Sequence, residues 1–355
     1  MSYCLHPDCC APFNPEDQKI CRGCGSKLLL KVRYRAIRPI AKGQFLHLFQ
    51  GIDIQAKNHP LVIKQILLPY PLLRAVSQRK IAIEVLHETS EKLSRLAEAE
   101  NLQRPLEYVV SGQGIYWIEE PLIGETLSEI LENLPYLSEE HVHQILSDLL
   151  PTLDELHRHS LIHRAICPDN IFYAAHTGKF TLANFGLTQL IVEALYKEIP
   201  NLGEYAIADP MYSAPEQMKG RSVPASDLYS LGVVCLQALT GIEPIHLVDQ
   251  CGKNWHYRDY LRDRTISDSF CQILDKMLSA ALINRFLKAE EILHQLSVIQ
   301  HPPSRQSVIT EADASLDVFG YLFHHSAKTV ADCVQSIQAV TTSFASFFLP
   351  ASKED

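Results

Sequence analysis

The 355-residue sequence has no uncharged apolar run approaching the roughly 18–20 residues a membrane-crossing helix needs, so no transmembrane segment is expected. No charged-then-apolar leader opens it, and no export signal is expected either. Positive charge is also in short supply. The 32 Lys and Arg against 41 Asp and Glu leave a net charge of −9, which argues against broad binding to nucleic acid or anionic membranes. What remains is ordinary for a water-soluble protein: 46% hydrophobic and 21% charged residues. A cytoplasmic location is the expectation, with room for one large domain and small appendages.

Cysteine is present in quantity, ten residues of it, and five fall within the first 24 positions. Without a leader they read as thiols or metal ligands and not as a disulfide frame. Cys4, Cys9, Cys21 and Cys24 follow a C-x4-C-x11-C-x2-C spacing, ending in a CRGCG knuckle whose glycines let backbone amides turn toward thiolates. Zn2+ is the natural ion for such a set. The segment is too short for a core of its own, so a structural metal would supply most of its folding energy. Cys10 is spare. An oxidisable tail without metal and a redox disulfide switch are the alternatives.

Further along, a series of short motifs appears in order: VIK ending at Lys64, HRAICPDN at 163–170, NFG at 184–186, SAPEQ at 213–217, SDLYSLG at 226–232, and Arg285 within LINRF. Their order and spacing resemble a protein kinase domain. The run from CRGCGSKLLLKVRYRAIRPI into LVIKQI closely resembles a bacterial group of Ser/Thr protein kinases that carry a four-cysteine zinc-ribbon-like segment immediately before the kinase domain. The resemblance covers roughly residues 1–298. It implies an α+β, two-lobed protein-kinase-like fold preceded by a small zinc-ribbon-like module. The expected divisions are the four-Cys module at 1–30, a small β-rich N-lobe at 31–120, a large helical C-lobe at 121–298, and a linker with an amphipathic helical tail at 299–355.

The same resemblance shows what the motifs lack. In a kinase the catalytic-loop aspartate accepts the substrate proton and the aspartate of the second triplet holds magnesium. Here those positions hold Ala165 and Asn184, and the loop lysine is replaced by Cys167. The glycine-rich loop reads AKGQFL, with Ala41 and Leu46 in place of two glycines and only Gly43 left. Lys64 is the expected strand lysine, and its usual helix glutamate falls at Thr89, with Glu88 or Glu84 as neighbouring candidates. Nucleotide binding, if retained, would use Gly43, Lys64, Glu120, Leu122 and Asn170. Glu119 would line the back of that pocket or point to solvent.

The scaffold positions persist: His163 and Arg164, Asp227 bracing the loop, and Glu216 with Arg285 as a buried ion pair. Lost chemistry on a retained framework implies a pseudokinase that acts as a regulatory or scaffolding protein. Its expected partners are proteins, such as an active kinase, a phosphatase or an assembly complex, with no nucleic acid. A slow or atypical ATP- and Mg2+-dependent Ser/Thr kinase using Lys64 and Asn170 is one alternative, and a zinc-dependent nucleic-acid or redox module is a second.

Local patterns add detail. Val142, Ile145, Leu146, Leu149, Leu153 and Leu156 share one face of a long helix that starts at Ser138, with Glu139 and Glu140 complementing its dipole. Val32, Tyr34 and Ala36 alternate with Lys31, Arg33 and Arg35, suggesting a half-exposed first strand whose basic residues, with Lys27 and Arg38, form a solvated face. Thr188, Tyr196, Tyr205 and Tyr212 are possible phosphate acceptors, and Arg164 could pair with a phosphate or with an acid such as Glu204. Ala208 and Asp209 replace the small-plus-hydroxyl pair before SAPEQ. Val330, Val334, Ile337, Val340, Phe344 and Phe348 recur at helical spacing in the tail. That helix would dock on the larger lobe, bind a partner or lie on a membrane surface, although its few Lys and Arg residues argue against a strong anionic-lipid anchor.

Overall fold

The computed structural model describes residues 1–43, 46–67, 76–96, 101–111, 114–196, 209–249, 254–261 and 266–300. The tail residues from Val330 to Phe348, and Tyr205, Ala208 and Glu204, lie outside them. Among the described residues, 1–94 with 103–123 form one compact unit, and the rest through 300 form a second.

The first unit is built on antiparallel strands. Ser2–Tyr3 (β1) pairs with Phe13–Asn14 (β2). Leu29–Leu30 (β3), Tyr34–Lys42 (β4), Leu46–Asp53 (β5) and His59–Ile66 (β6) are followed by helix Val76–Ser94 (α1), then Pro105–Ser111 (β7) and Gly114–Glu119 (β8). The six-stranded order is β3-β4-β5-β6-β8-β7. Alternation in the strands sends Tyr34, Ala36, Phe49, Leu61, Ile63 and Ile118 into one core. Tyr3 and Leu5 of the cysteine-rich segment join that same core, and the Tyr3 ring lies 5.4 Å from Phe49.

Val32 departs from the expected alternation. It sits before β4 in a turn at φ +57°, with Lys31 at +49°, and its side chain is exposed. The strand begins only at Tyr34, because the tight turn closed by Arg33 N–H to the Leu30 carbonyl uses those residues up. The basic stretch is matched by acids and amides. Lys31 pairs with Glu107, Arg33 with Asp53 at 2.7 Å, Arg35 with Glu16 at 3.0 Å, and Arg38 donates to Gln50 at 2.7 Å.

The second unit holds Glu125–Thr126 (β9), Leu127–Asn133 (α2), Glu139–Arg158 (α3), Ile171–Ala174 (β10), Lys179–Leu182 (β11), Leu187–Tyr196 (α4), Pro224–Thr240 (α5), Pro244–Leu247 (α6), Arg258–Leu261 (α7), Asp268–Met277 (α8) and Ala289–Gln300 (α9). Helix α3 starts as its sequence predicts: the Ser138 hydroxyl accepts from His141 N–H at its first turn. Val142, Ile145, Leu146, Leu149, Leu153 and Leu156 are all fully buried. Helix α5 is buried almost throughout, from Ala225 to Thr240, so it reads as apolar on all sides without a clear stripe.

Candidate functional site

Four sulfurs come together in the first unit. The Sγ atoms of Cys4, Cys9, Cys21 and Cys24 all lie within 4.8 Å of one another, with Cys4 to Cys24 at 3.5 Å and Cys9 to Cys21 at 3.6 Å. Tetrahedral zinc with bonds of about 2.3 Å puts its sulfurs about 3.8 Å apart, so the set fits that ion. The Asn14 amide donates to Cys21 Sγ at 3.4 Å, while its carbonyl oxygen accepts from Arg22 N–H at 2.9 Å and fixes the orientation. Burial alone would raise the Cys21 thiol. Amides of Cys24 and Gly23, with the Asn14 side chain, outweigh it and hold the thiol down at about 6. Burial pushes the Cys4 thiol up instead. Cys10 is exposed and outside the cluster.

Lys64 sits on β6, a buried strand that holds its ammonium 3% exposed. Its partner is neither Glu88 nor Glu84. Those acids are exposed on α1 and pair with Lys92 at 2.7 Å and Lys80 at 3.6 Å, each one turn away. Thr89 is buried, and its hydroxyl donates back to the Val85 carbonyl at 2.7 Å. The ion pair is made instead with Glu119 on β8. Glu119 therefore does not point to solvent; it is 1% exposed and also accepts from Trp117 Nε1 at 2.8 Å. Register explains this pairing. Lys64 lies opposite Trp117, so Glu119, two residues on, shares its face within diagonal reach.

The other candidate nucleotide positions of this unit are partly engaged. The Gly43 N–H closes the β4–β5 turn on the Leu46 carbonyl at 2.9 Å. The Glu120 carbonyl accepts from Gln103 Nε2 at 2.9 Å, and Leu122 lies half-buried in irregular chain beyond β8.

In the second unit Ala165, Cys167, Asn170 and Asn184 gather around one loop. Asn184 Nδ2 donates to Asn170 Oδ1 at 2.7 Å, and Asn170 Nδ2 donates to the Ala165 carbonyl at 2.7 Å. The two positions where a kinase would hold metal are thus bonded to each other through an amide chain. Asn184 adopts φ +55°, a left-handed conformation that asparagine tolerates. Gly186 packs so closely on the loop that a Cβ would meet the His163 carbonyl and Arg164 Cβ at 2.8 Å. Burial, with the nearby charges of Asp169 and Asp209, pushes the Cys167 thiol upward. Asp209 is also raised by burial, and its carboxylate accepts from Met211 N–H at 2.9 Å.

The loop is held from behind by Asp227 on α5, whose carboxylate accepts from His163 N–H at 2.8 Å and Arg164 N–H at 2.9 Å. His157 Nε2 also bonds Asp227, at 2.9 Å. Burial opposes the charge on Asp227, but His157, His163 and the Arg164 amide hold its carboxyl below the usual range. Arg164 Nε donates to Glu193 on α4 at 2.8 Å, and Glu193 also accepts from Ser222. Arg164 thus has an acid partner among the described residues, while Glu204 lies outside them. Glu216 and Arg285 form a two-pronged pair at 2.6 and 3.3 Å, and Arg285 further donates to the carbonyls of Ser279, Ala225 and Ala280. Glu119, Gln103, His157 and Glu193 went unrecognised as partners in the sequence, since each acts across a register or a fold contact that no local pattern signals.

A β-sheet N-lobe with a buried strand lysine and a helical C-lobe with a braced loop define the protein kinase fold. The chain belongs to the protein kinase domain family, which matches residues 34–297. It is 29% identical over 303 residues to "Serine/threonine-protein kinase B" of Synechocystis sp., covering 84% of this chain and 52% of that protein. To "Serine/threonine-protein kinase PknA" of Nostoc sp. it is 33% identical over 291 residues, 78% of this chain and 49% of that one. The chain thus spans about half the length of the curated relatives it matches. The solved structure described as "PpkA-294 apo form" matches with a TM-score of 0.57 at 19% identity, over 74% of this chain and 96% of that one, a likeness of fold alone.

Proposed function

We propose that this chain is a pseudokinase of the bacterial Ser/Thr kinase family: a cytoplasmic regulatory or scaffolding protein that works by binding other proteins. The observation that carries this reading is the hydrogen bond from Asn184 Nδ2 to Asn170 Oδ1. Magnesium prefers carboxylate oxygens, and here one carboxylate is replaced by an amide whose donor occupies the other ligand's oxygen. Ala165 offers no proton acceptor, and losing such a group costs about 10²–10⁴-fold by itself. The intact Asp227 brace and Glu216–Arg285 pair support a retained scaffold. Cys4, Cys9, Cys21 and Cys24 hold a structural Zn2+ in this reading, supported by their sulfur spacing, and the ion supplies cross-linking and no chemistry.

Purified protein supplied with labelled ATP and magnesium or manganese tests the proposal. No incorporation into itself or a generic acceptor protein is expected. Label transfer that disappears in Lys64→Ala would overturn it.

A further inference from the structure

Three segments of the C-terminal unit meet at one carboxylate. Glu193, on α4, accepts from Arg164 Nε at 2.8 Å on one oxygen. Its other oxygen accepts from the Ser222 hydroxyl, and from Ser222 N–H at 3.3 Å. Arg164 lies in the loop braced by Asp227, and Ser222 stands in irregular chain two residues before α5. Arg164 Nη1 is taken up by the Ile162 carbonyl at 2.8 Å, whereas Nη2 has no acceptor among the described residues. A serine oxygen therefore lies one carboxylate away from a guanidinium with a donor to spare.

Ser222 is half-buried, with exposed Arg221 immediately before it and exposed Lys219 three residues before. Two hydroxyls that the sequence offered as phosphate acceptors are less accessible. Thr188 and Tyr212 are both buried, and the Tyr212 hydroxyl donates to Gln237 Oε1 at 2.5 Å.

We propose that Ser222 is a phosphorylation site, modified by a separate Ser/Thr kinase that reads the preceding arginine, and that its phosphate takes Arg164 from Glu193 and releases α4. In the transfer, the bond between the ATP γ-phosphorus and the ADP oxygen breaks, an ester forms at Ser222 Oγ, and the hydroxyl proton is released. Unmodified, the serine donates to Glu193. Phosphorylated, it has no such proton to give and sets a charge of about −1.5 to −2 against that carboxylate. Two anions then compete for one guanidinium, and the phosphate offers three oxygens, one of them for Nη2. It also stands just ahead of the N-terminus of α5, where negative charge is favoured. Helix α4 keeps its buried apolar side chains, Ile191, Val192 and Leu195, but loses the contact that ties it to the loop. The switch goes beyond the pseudokinase reading and stands whether or not the chain transfers phosphate itself.

The full chain is offered ATP and an arginine-directed Ser/Thr kinase selected because it labels the free peptide 217–227, and fragmentation mass spectrometry locates the phosphate. Ser222 should be modified in the folded chain; a folded chain left unmodified there overturns the proposal. A chain carrying phosphoserine at position 222, inserted during translation, reads the switch itself. Its α4 amides should exchange at least about tenfold faster than those of wild type, as for the loss of one charge-assisted hydrogen bond. They should also outpace Ser222→Ala, which loses the hydroxyl without gaining charge. Equal exchange in the two would mean a purely structural serine and refutes the switch. In 31P NMR the phosphate should titrate below its free midpoint of about 6 and return toward it in Arg164→Gln. A midpoint at the free value or above it, with Arg164 present, shows that the guanidinium was not captured and refutes the switch as well.

Discussion

Replacing Asn184 with aspartate probes the amide chain of the C-terminal unit directly. In the wild type Asn184 Nδ2 donates to Asn170 Oδ1, and Asn170 Nδ2 donates to the Ala165 carbonyl, each at 2.7 Å. The substitution removes the first donor and sets a carboxylate against Asn170 Oδ1. Two acceptors cannot share that contact, so the Asn170 amide must turn over and give up its bond to Ala165, or tolerate the repulsion. Either course forfeits one hydrogen bond, worth about 0.5–1.5 kcal/mol, and a domain of this size loses about 2–4 °C in Tm per kcal/mol. A divalent cation reverses the balance, because it takes both oxygens as ligands and removes the clash. Asn184→Asp should therefore melt about 1–6 °C below wild type without metal and recover that loss, or more, with magnesium and ADP, as a ligand at about 100 times its Kd adds about 2.7 kcal/mol. Wild type should show no magnesium-specific increment. Differential scanning calorimetry with and without magnesium reads both. The reasoning fails if wild type gains as much from magnesium as the variant, or if the variant is indifferent to it.

Arg285→Ala strands the Glu216 carboxylate and should cost about 3–5 kcal/mol in urea unfolding; a loss below about 1 kcal/mol would show that the pair is dispensable. Lysine should not rescue it, since one ammonium cannot reproduce the fork to Glu216 together with the bonds to three carbonyls. Burial tends to raise the Glu216 carboxyl, yet Arg285 and Ser226 hold it below the ordinary value, so its contribution is complete above about pH 4.3 and drains away as pH falls through the lower folded value. Urea midpoints measured down a pH series should fall less steeply across that window in Glu216→Gln. Glu193→Gln removes the charged partner of Arg164 and should speed protease cutting within α4; unchanged cutting would mean that the pair does not hold the helix. Elemental analysis should find one zinc per chain, and Cys21→Ser should lose it together with protection of β1 in hydrogen exchange.

Much of the fold was legible from local pattern. The α3 stripe and its Ser138 cap are set by a 3.6-residue period and a single side-chain acceptor, and both need only contiguous sequence. The strand ending in Lys64 and the apolar run to Glu119 read as strands for the same kind of reason. The four-Cys spacing announced a cluster because knuckle geometry is local, and the sulfurs do converge. Val32 was misplaced, since a turn with two left-handed residues mimics alternation in a short window.

Partner choice was the part that no local pattern encoded. Lys64 had acids available one or two turns along α1, yet the structure gives it Glu119, because strand register places that side chain on the same buried face, where an unpaired charge would be most costly. The same holds for Arg164 with Glu193, and for His157 on Asp227. By itself the sequence determined the family, the order of the elements, and which chemical groups are missing at 165, 167 and 184, since these are matters of residue identity and spacing. Only the tertiary structure decided which groups took up the bonds left behind, because charge and hydrogen-bond satisfaction are settled among whichever side chains folding buries together.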